Sequence, residues 1–243
     1  MQIEARPVEL AEVGRLRDLY RAEANCQIIH DSFLPRQLAD PYLLLADGRI
    51  AGYGSFSKQY GPPRILEFYT VPAMRGDALG MFRELLATTG ATHIEAQSNI
   101  RLMLTMLYDC ASSISVENIL FEDGLRTFLP SPGGIFRQVG PKETNPDGDW
   151  VVESDAGIVA SGGYLCHYNP PYGDIYMSVA ESARRRGYGS YIVQELKRVT
   201  YEGGRKPAAR CNADNFASRR TLERAGMFVC GRLLLGEVKA PAS

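Results

Sequence analysis

The chain has 243 residues, 45% hydrophobic and 23% charged, with a formal net charge of −1, as expected of a globular protein with one large domain or two of about 120 residues. Near-neutral charge gives no electrostatic reason to expect nucleic acid or an anionic membrane as partner, and no apolar run approaches the roughly 20 residues that span a bilayer. Cys26, Cys110, Cys166, Cys211 and Cys230, like His30, His93 and His167, are scattered with no C-x-x-C spacing, which predicts reduced thiols in a cytoplasmic protein and no metal.

The N-terminal residues carry no apolar signal core and read as a first strand, with Pro7 suited to a helix start. Leu10, Val13, Leu16 and Leu19 recur at helical spacing and predict a helix to about Arg21. A short second helix is expected over residues 31–38, stopped by Asp40-Pro41. Strands at 42–46 and 50–56 flank Asp47-Gly48, a tight hairpin signal. A strand at 64–71, a helix at 76–88, a strand at 92–98 and a helix at 100–110 follow, then strands at 113–121 and 125–129. The stripe Met103, Met106, Leu107 reads as core packing.

Pro130-Ser-Pro-Gly-Gly134 is the best boundary. Beyond it the order repeats in part: a strand at 135–139, a polar loop over 140–149, and strands at 150–153 and 157–167. The division is therefore a first domain over 1–130 and a second over 131–243. One further strand opens at Gly173-Asp174 and runs through Met177-Ser178-Val179. It leads into Arg184-Arg185-Arg186-Gly187-Tyr188-Gly189-Ser190 and an amphipathic helix over 188–201, whose face Tyr188, Ile192, Val193, Leu196, Val199 reads as core. A strand over 208–213 and a last helix follow, with Asn215 as N-cap and Gly226 just past its end.

Strand, glycine turn and helix start make an anion site. The first N–H groups of a helix have no intrahelical partner, the dipole is positive there, and the arginines add charge. The nucleoside-triphosphate loop does not fit, because no lysine follows the second glycine, and the dinucleotide fingerprint needs a third glycine. The stretch resembles instead the pyrophosphate signature [R/Q]-x-x-G-x-[G/A] of the GCN5-related N-acetyltransferase (GNAT) family, with Arg184, Gly187 and Gly189 at its fixed places. An asparagine opening the last helix (Asn215) and a Gly-Phe-like pair after it (Gly226, Phe228) resemble the family's second signature.

The resemblance implies an α/β fold of tandem acetyltransferase-like units, each with a mixed central sheet flanked by helices. It also implies acetyl-CoA (coenzyme A) as cofactor and an N-acetyltransferase acting through a ternary complex on a small amine or amino-acid-like acceptor. R-x-x-G-x-G cannot be placed in the first half, where Pro-Ala-Met-Arg75-Gly76 follows Val71. The second half has a polar loop where the first has helices. A degenerate first half beside a cofactor-binding second half resembles the glycine N-acyltransferase branch.

By family position, Met177 and Val179 would bind the pantetheine arm through main-chain groups, beside Ser178. Arg184, Arg185, Arg186, Gly187, Tyr188, Gly189 and Ser190 would hold the pyrophosphate, with Asn215, Ser218 and Asn212 along the cofactor arm. Acyl transfer to an amine also needs a base. Asp174 is the first choice, at a place resembling the catalytic glutamate of glycine N-acyltransferases; a turn residue is the plainer reading, and Glu153 and Glu67 are alternatives. His167 reads as structural. Leu222 stands where many members carry a tyrosine general acid. The Arg219-Arg220 pair reads either as solvated or as reaching the 3′-phosphate of coenzyme A. Two further readings stay open: a non-catalytic acyl-CoA-binding module, and a peptide or protein N-terminal acetyltransferase.

Overall fold

The computed structural model describes residues 1–23, 32–143, 147–166 and 170–239. Its α/β chain forms two compact units, Met1–Glu117 with Gly231–Ser243, and Asn118–Cys230.

The first unit begins with β1 (Ile3–Pro7), a 3-10 turn at Leu10–Val13 and α1 (Gly14–Glu23). Pro7 closes β1, opposite Tyr42, so it ends a strand and does not start the helix. A capping box between Glu9 and Glu12 starts the helical segment instead. Val13, Leu16 and Tyr20 make the buried stripe, and Leu19 is exposed. In place of the expected helix over 31–38, residues 33–37 form turns, with Gln37 at φ +56°.

β2 (Asp40–Ala46) and β3 (Arg49–Ser57) form the hairpin around Asp47-Gly48. β4 (Arg64–Thr70) is buried along its whole length, as a strand covered on both faces must be. α2 (Ala78–Thr89) turns Ala78, Met81, Phe82 and Leu85 inward. β5 (His93–Gln97) leads to α3 (Arg101–Cys110), which buries Met103, Met106, Leu107 and Cys110. Two long strands belong to this unit in part: β6 (Ala111–Asp123) up to Glu117 and β12 (Met227–Val238) from Gly231. Strand order here is β1-β2-β3-β4-β5-β12-β6, with β4/β5 parallel and β5/β12 antiparallel.

β12 is missing from the sequence reading, which stops at Phe228 and gives everything after 130 to the second domain. The structure returns residues 231–238 to the first unit. Leu233, Leu234 and Leu235 pair with Gln97, Ala96 and Glu95, so the ladder groups of β5 that would otherwise form a bare edge are satisfied.

The second unit contains the rest of β6, then β7 (Ile135–Gln138), β8 (Trp150–Ser154), β9 (Gly157–Leu165), β10 (Tyr172–Val179), α4 (Tyr188–Glu202), β11 (Lys206–Asn212) and α5 (Phe216–Arg224). Its order is β6-β11-β10-β9-β8-β7, mixed, with only β10/β11 parallel. Ile192, Val193, Leu196 and Val199 of α4 are buried with Ile175, Ala209 and Leu222 in one core. The loop between β7 and β8 is fastened by Val139 N donating to Asp149 O at 2.8 Å and by Arg137 with Glu143.

The strand expected at 125–129 is absent. Side chains of α4 take the segment's backbone instead: Lys197 Nζ donates to Leu125 O at 2.6 Å, Gln194 Nε2 to Leu129 O at 3.2 Å, and Leu129 N to Gln194 Oε1 at 2.6 Å. A short, partly apolar segment does not by itself distinguish a ladder partner from a strap bound by side chains.

Candidate functional site

β10 and β11 are paired from Tyr172↔Lys206 to Ile175↔Ala209 and no further. β10 keeps β9 as far as Val179↔Ala160, while β11 continues along β6 to Asn212↔Asn118. The two parallel strands thus part after Ile175, leaving residues 176–179 with a ladder on one side only. A cleft of about 730 Å³ opens at this notch.

The turn after β10 forms its floor. A 3-10 turn at Glu181–Ala183 is followed by Arg185 at φ +62° and Gly187 at φ +94° as N-cap of α4. That φ is readily available to glycine alone. The first α4 bond runs from Tyr191 N to Gly187 O at 3.1 Å, so the N–H groups of Tyr188, Gly189 and Ser190 have no intrahelical acceptor. A Cβ on Gly189 would stand 3.0 Å from Thr221 Cγ2; glycine there lets α5 approach the turn.

Of the residues singled out from the sequence, Met177, Ser178, Val179, Arg184, Arg185, Gly187, Gly189, Ser190, Asn215 and Ser218 line this cleft. Arg186, Tyr188, Asn212 and Asp174 do not. Tyr188 is buried in the core with its hydroxyl donating to Pro132 O at 3.4 Å, and Arg186 lies 5.5 Å over its ring. Asn212 Oδ1 accepts from Asp214 N at 3.0 Å, and Asn215 Oδ1 from Ser218 N at 3.0 Å, so each has a turn or cap function of its own.

Five further residues line it: Ala183 in the turn after β10, and Ala217, Arg220, Thr221 and Arg224 on α5. The four α5 positions share one helix face once Asn215 fixes the start, but the sequence does not say that this face meets the turn after β10. The Arg219-Arg220 pair divides: Arg220 lines the cleft, while Arg219 is ion-paired to Glu223 at 2.9 Å. The lining therefore carries Arg184, Arg185, Arg220 and Arg224 and no carboxylate. Arg184 Nε donates to Val179 O at 3.3 Å, tying the turn to the strand end.

Asp174 lies behind the cleft and is buried, with Oδ2 3.4 Å from Arg210 Nη2 and Oδ1 without a hydrogen bond among the described residues. Burial pushes its carboxyl up to about 6, with Arg210 pulling against the shift. The first unit has a charge-inverted counterpart. Arg64 and Glu95 pair at 2.8 Å, and the registers Arg64↔His93 and Asp174↔Ala208, each one rung before the parallel strands part, put both ion pairs on the same diagonal. Glu153 is exposed and paired with Arg137 at 2.7 Å. Glu67 belongs to the first unit, fully buried, accepting from Tyr53 OH at 2.9 Å and paired with Arg17 at 3.5 Å. Leu222 is a core residue, and His167 lies outside the described residues. Among the described residues no group of three or more His, Cys, Asp or Glu side chains could hold a metal, and no helix is long and apolar enough to cross a membrane.

Residues 135–228 match the model of the acetyltransferase (GNAT) domain. No curated protein matches the chain in sequence. Among solved structures, an acetyltransferase from the GNAT family of Colwellia psychrerythraea is 13% identical with a TM-score of 0.81, over 97% of this chain and 100% of that one. A GCN5-related N-acetyltransferase from Sphaerobacter thermophilus is 18% identical with a TM-score of 0.63, over 99% and 97%. A tandem GNAT protein from the clavulanic acid biosynthesis pathway is 12% identical with a TM-score of 0.59, over the whole of both chains. These likenesses establish the fold, and the matched residues take in the parted strand, the arginine-glycine turn and α5. Residues 135–228, most of the second unit, are thus similar to the acetyltransferase (GNAT) domain, and the chain has the α/β fold of the GNAT structures.

Proposed function

We propose that the protein is an acetyl-CoA-dependent N-acetyltransferase whose second unit binds the cofactor and transfers the acetyl group, in a ternary complex, to the amine of a small or amino-acid-like acceptor. In this reading the chain is a tandem GNAT protein whose first unit has lost its phosphate turn, a plan like that of the glycine N-acyltransferase branch. One observation carries it: the uncapped start of α4 opens into a cleft with four arginines and no acidic side chain. That environment suits a ligand with several phosphates and no cation.

Bound there, the cofactor supplies an activated acetyl thioester. The N–H groups at the α4 start and Arg184 and Arg185 hold the pyrophosphate, and Arg220 and Arg224 meet further phosphate charge. Residues 176–179, free of β11, offer main-chain groups to the pantetheine arm, with the Val179 amide as oxyanion donor. The acceptor amine must lose a proton to attack, since a free alkylamine has a pKa near about 10. Asp174, with a carboxyl near 6, takes that proton through water, because it does not line the cleft. The departing thiolate needs no strong acid, a thiol having a pKa of about 8.5.

Thermal melts of the full chain with and without acetyl-CoA test the cofactor site. Ligand at a hundred times its dissociation constant stabilises by about 2.7 kcal/mol, a rise of several degrees at this size. The rise is expected in the wild type and lost in Gly187→Glu, where a side chain would have to adopt φ +94° and bring a carboxylate to the phosphates. Absence of a rise in the wild type overturns the reading.

The burial of Leu222 and the placement of Asp174 behind the cleft favour one alternative, a non-catalytic acyl-CoA-binding module. It predicts the same melt with no coenzyme A release for any amine in a broad panel.

A further inference from the structure

The first unit repeats the parting of parallel strands with different chemistry around it. β4 and β5 are paired only at Arg64↔His93 and Ile65↔Ile94, although β3 accompanies β4 as far as Thr70. A cleft of about 650 Å³ occupies the notch, within the size range of small-molecule sites. Its lining takes in Ile100 and Leu102 and reaches the edges of Tyr20, Phe68 and Tyr69, which are themselves buried. Tyr20 meets Tyr69 edge-on at 6.5 Å, and Phe68 meets Phe82 at 4.9 Å, so these rings are fixed by their neighbours.

The polar part of the lining is unlike that of the second unit. The turn after β4 is a 3-10 helix, Pro72–Asp77, with no glycine pair to cradle a pyrophosphate. Arg75 is folded back, ion-paired to Glu23 and 6.0 Å above the Tyr69 ring, while Tyr69 OH donates to Glu23 Oε1 at 3.4 Å. Glu23 and Arg75 therefore satisfy each other at the rim. Arg101, the next cation of the lining, makes no side-chain hydrogen bond or ion pair with the described residues. One uncommitted cation beside an apolar wall selects against polyphosphates, against cations and against uncharged hydrocarbons.

We propose that this cleft is a second small-molecule site, taking a monocarboxylate with an aromatic or branched apolar body: the body packs against Ile100, Leu102 and the edges of Tyr20 and Tyr69, and the carboxylate pairs with Arg101. Such a ligand satisfies the guanidinium while burying apolar surface. The site goes beyond the acetyl-transfer reading and does not depend on it.

Calorimetric titration of the full chain with 3-phenylpropionate tests this, with propionate lacking the ring and 3-phenylpropanol lacking the charge. Saturable binding is expected for 3-phenylpropionate, tighter by about tenfold or more than for either control, since a charge-assisted pair and a buried ring each contribute on that scale. Arg101→Glu should weaken it by about the same factor or more, and Leu102→Trp, which fills the cleft from α3, should abolish it. Gly187→Glu should leave it intact. No saturable binding at millimolar concentration would overturn the proposal. So would binding that survives both Arg101→Glu and Leu102→Trp, or binding lost in Gly187→Glu, which would put the carboxylate in the second unit's cleft.

Discussion

At the residue scale the proposed chemistry turns on Asp174. Its carboxyl stands near 6 because burial penalises the charge more than Arg210 relieves it. A pKa raised on folding makes stability fall as pH rises from the unfolded value toward the folded one, because the unfolded chain releases the proton first. From pH 4 to 6 the wild type should therefore lose up to about 3 kcal/mol relative to Asp174→Asn, roughly two pKa units; urea unfolding of both proteins at pH 4.5 and 7 checks it. If Asp174 is the base, Asp174→Asn also lowers turnover by about 10² to 10⁴ with little change in acetyl-CoA affinity. A purely structural pin, as the inverted Arg64–Glu95 pair suggests, would move stability and leave turnover alone.

At the scale of elements, α4 serves two ends. Its N-terminus faces the cleft, and further along the helix Lys197 holds Leu125 O at 2.6 Å, Ala225 O at 2.8 Å and the Asp123 carboxylate, all largely buried. Lys197→Met leaves that carboxylate and two carbonyls without the ammonium, and breaking a buried pair in this way costs about 3 to 5 kcal/mol. The loss should appear as a lower denaturation midpoint and as faster amide exchange over residues 124–129, ahead of global unfolding. This is also why the partly apolar segment at 125–129 misled: a lysine two-thirds of the way along a helix gives no sequence signal that it captures a distant strap. The hairpin at Asp47-Gly48, the stripe of α3 and the capped start of α5 were all legible, because each rests on interactions a few residues apart.

For the whole molecule, the order of units along the chain is not a simple cut. Residues 118–122 of β6 pair with β11 in the second unit, and residues 231–238 of β12 complete the first. A fragment of residues 118–230 should melt cooperatively, while 131–243 should not, since it leaves the β6 side of β11 bare and carries a strand whose partner is gone. Deleting residues 231–243 should likewise cost the first unit its cooperative transition, measured by calorimetry. Pro130-Ser-Pro-Gly-Gly134 looked like a boundary because its composition disfavours regular structure, yet it lies inside the second unit.

The sequence by itself determined the local elements, the arginine-glycine turn and the cap of α5, because turns, caps and amphipathic faces are set by neighbouring residues. Ten of the residues singled out from it line the second unit's cleft. Tertiary structure alone decided that Asp174 stands behind the cleft, that Arg220 and Arg224 join Arg184 and Arg185, that the final strand returns to the first unit, and that a second notch opens between β4 and β5. Those outcomes depend on strand registers and on helix packing between residues far apart in the chain, and no pattern within one segment encodes them.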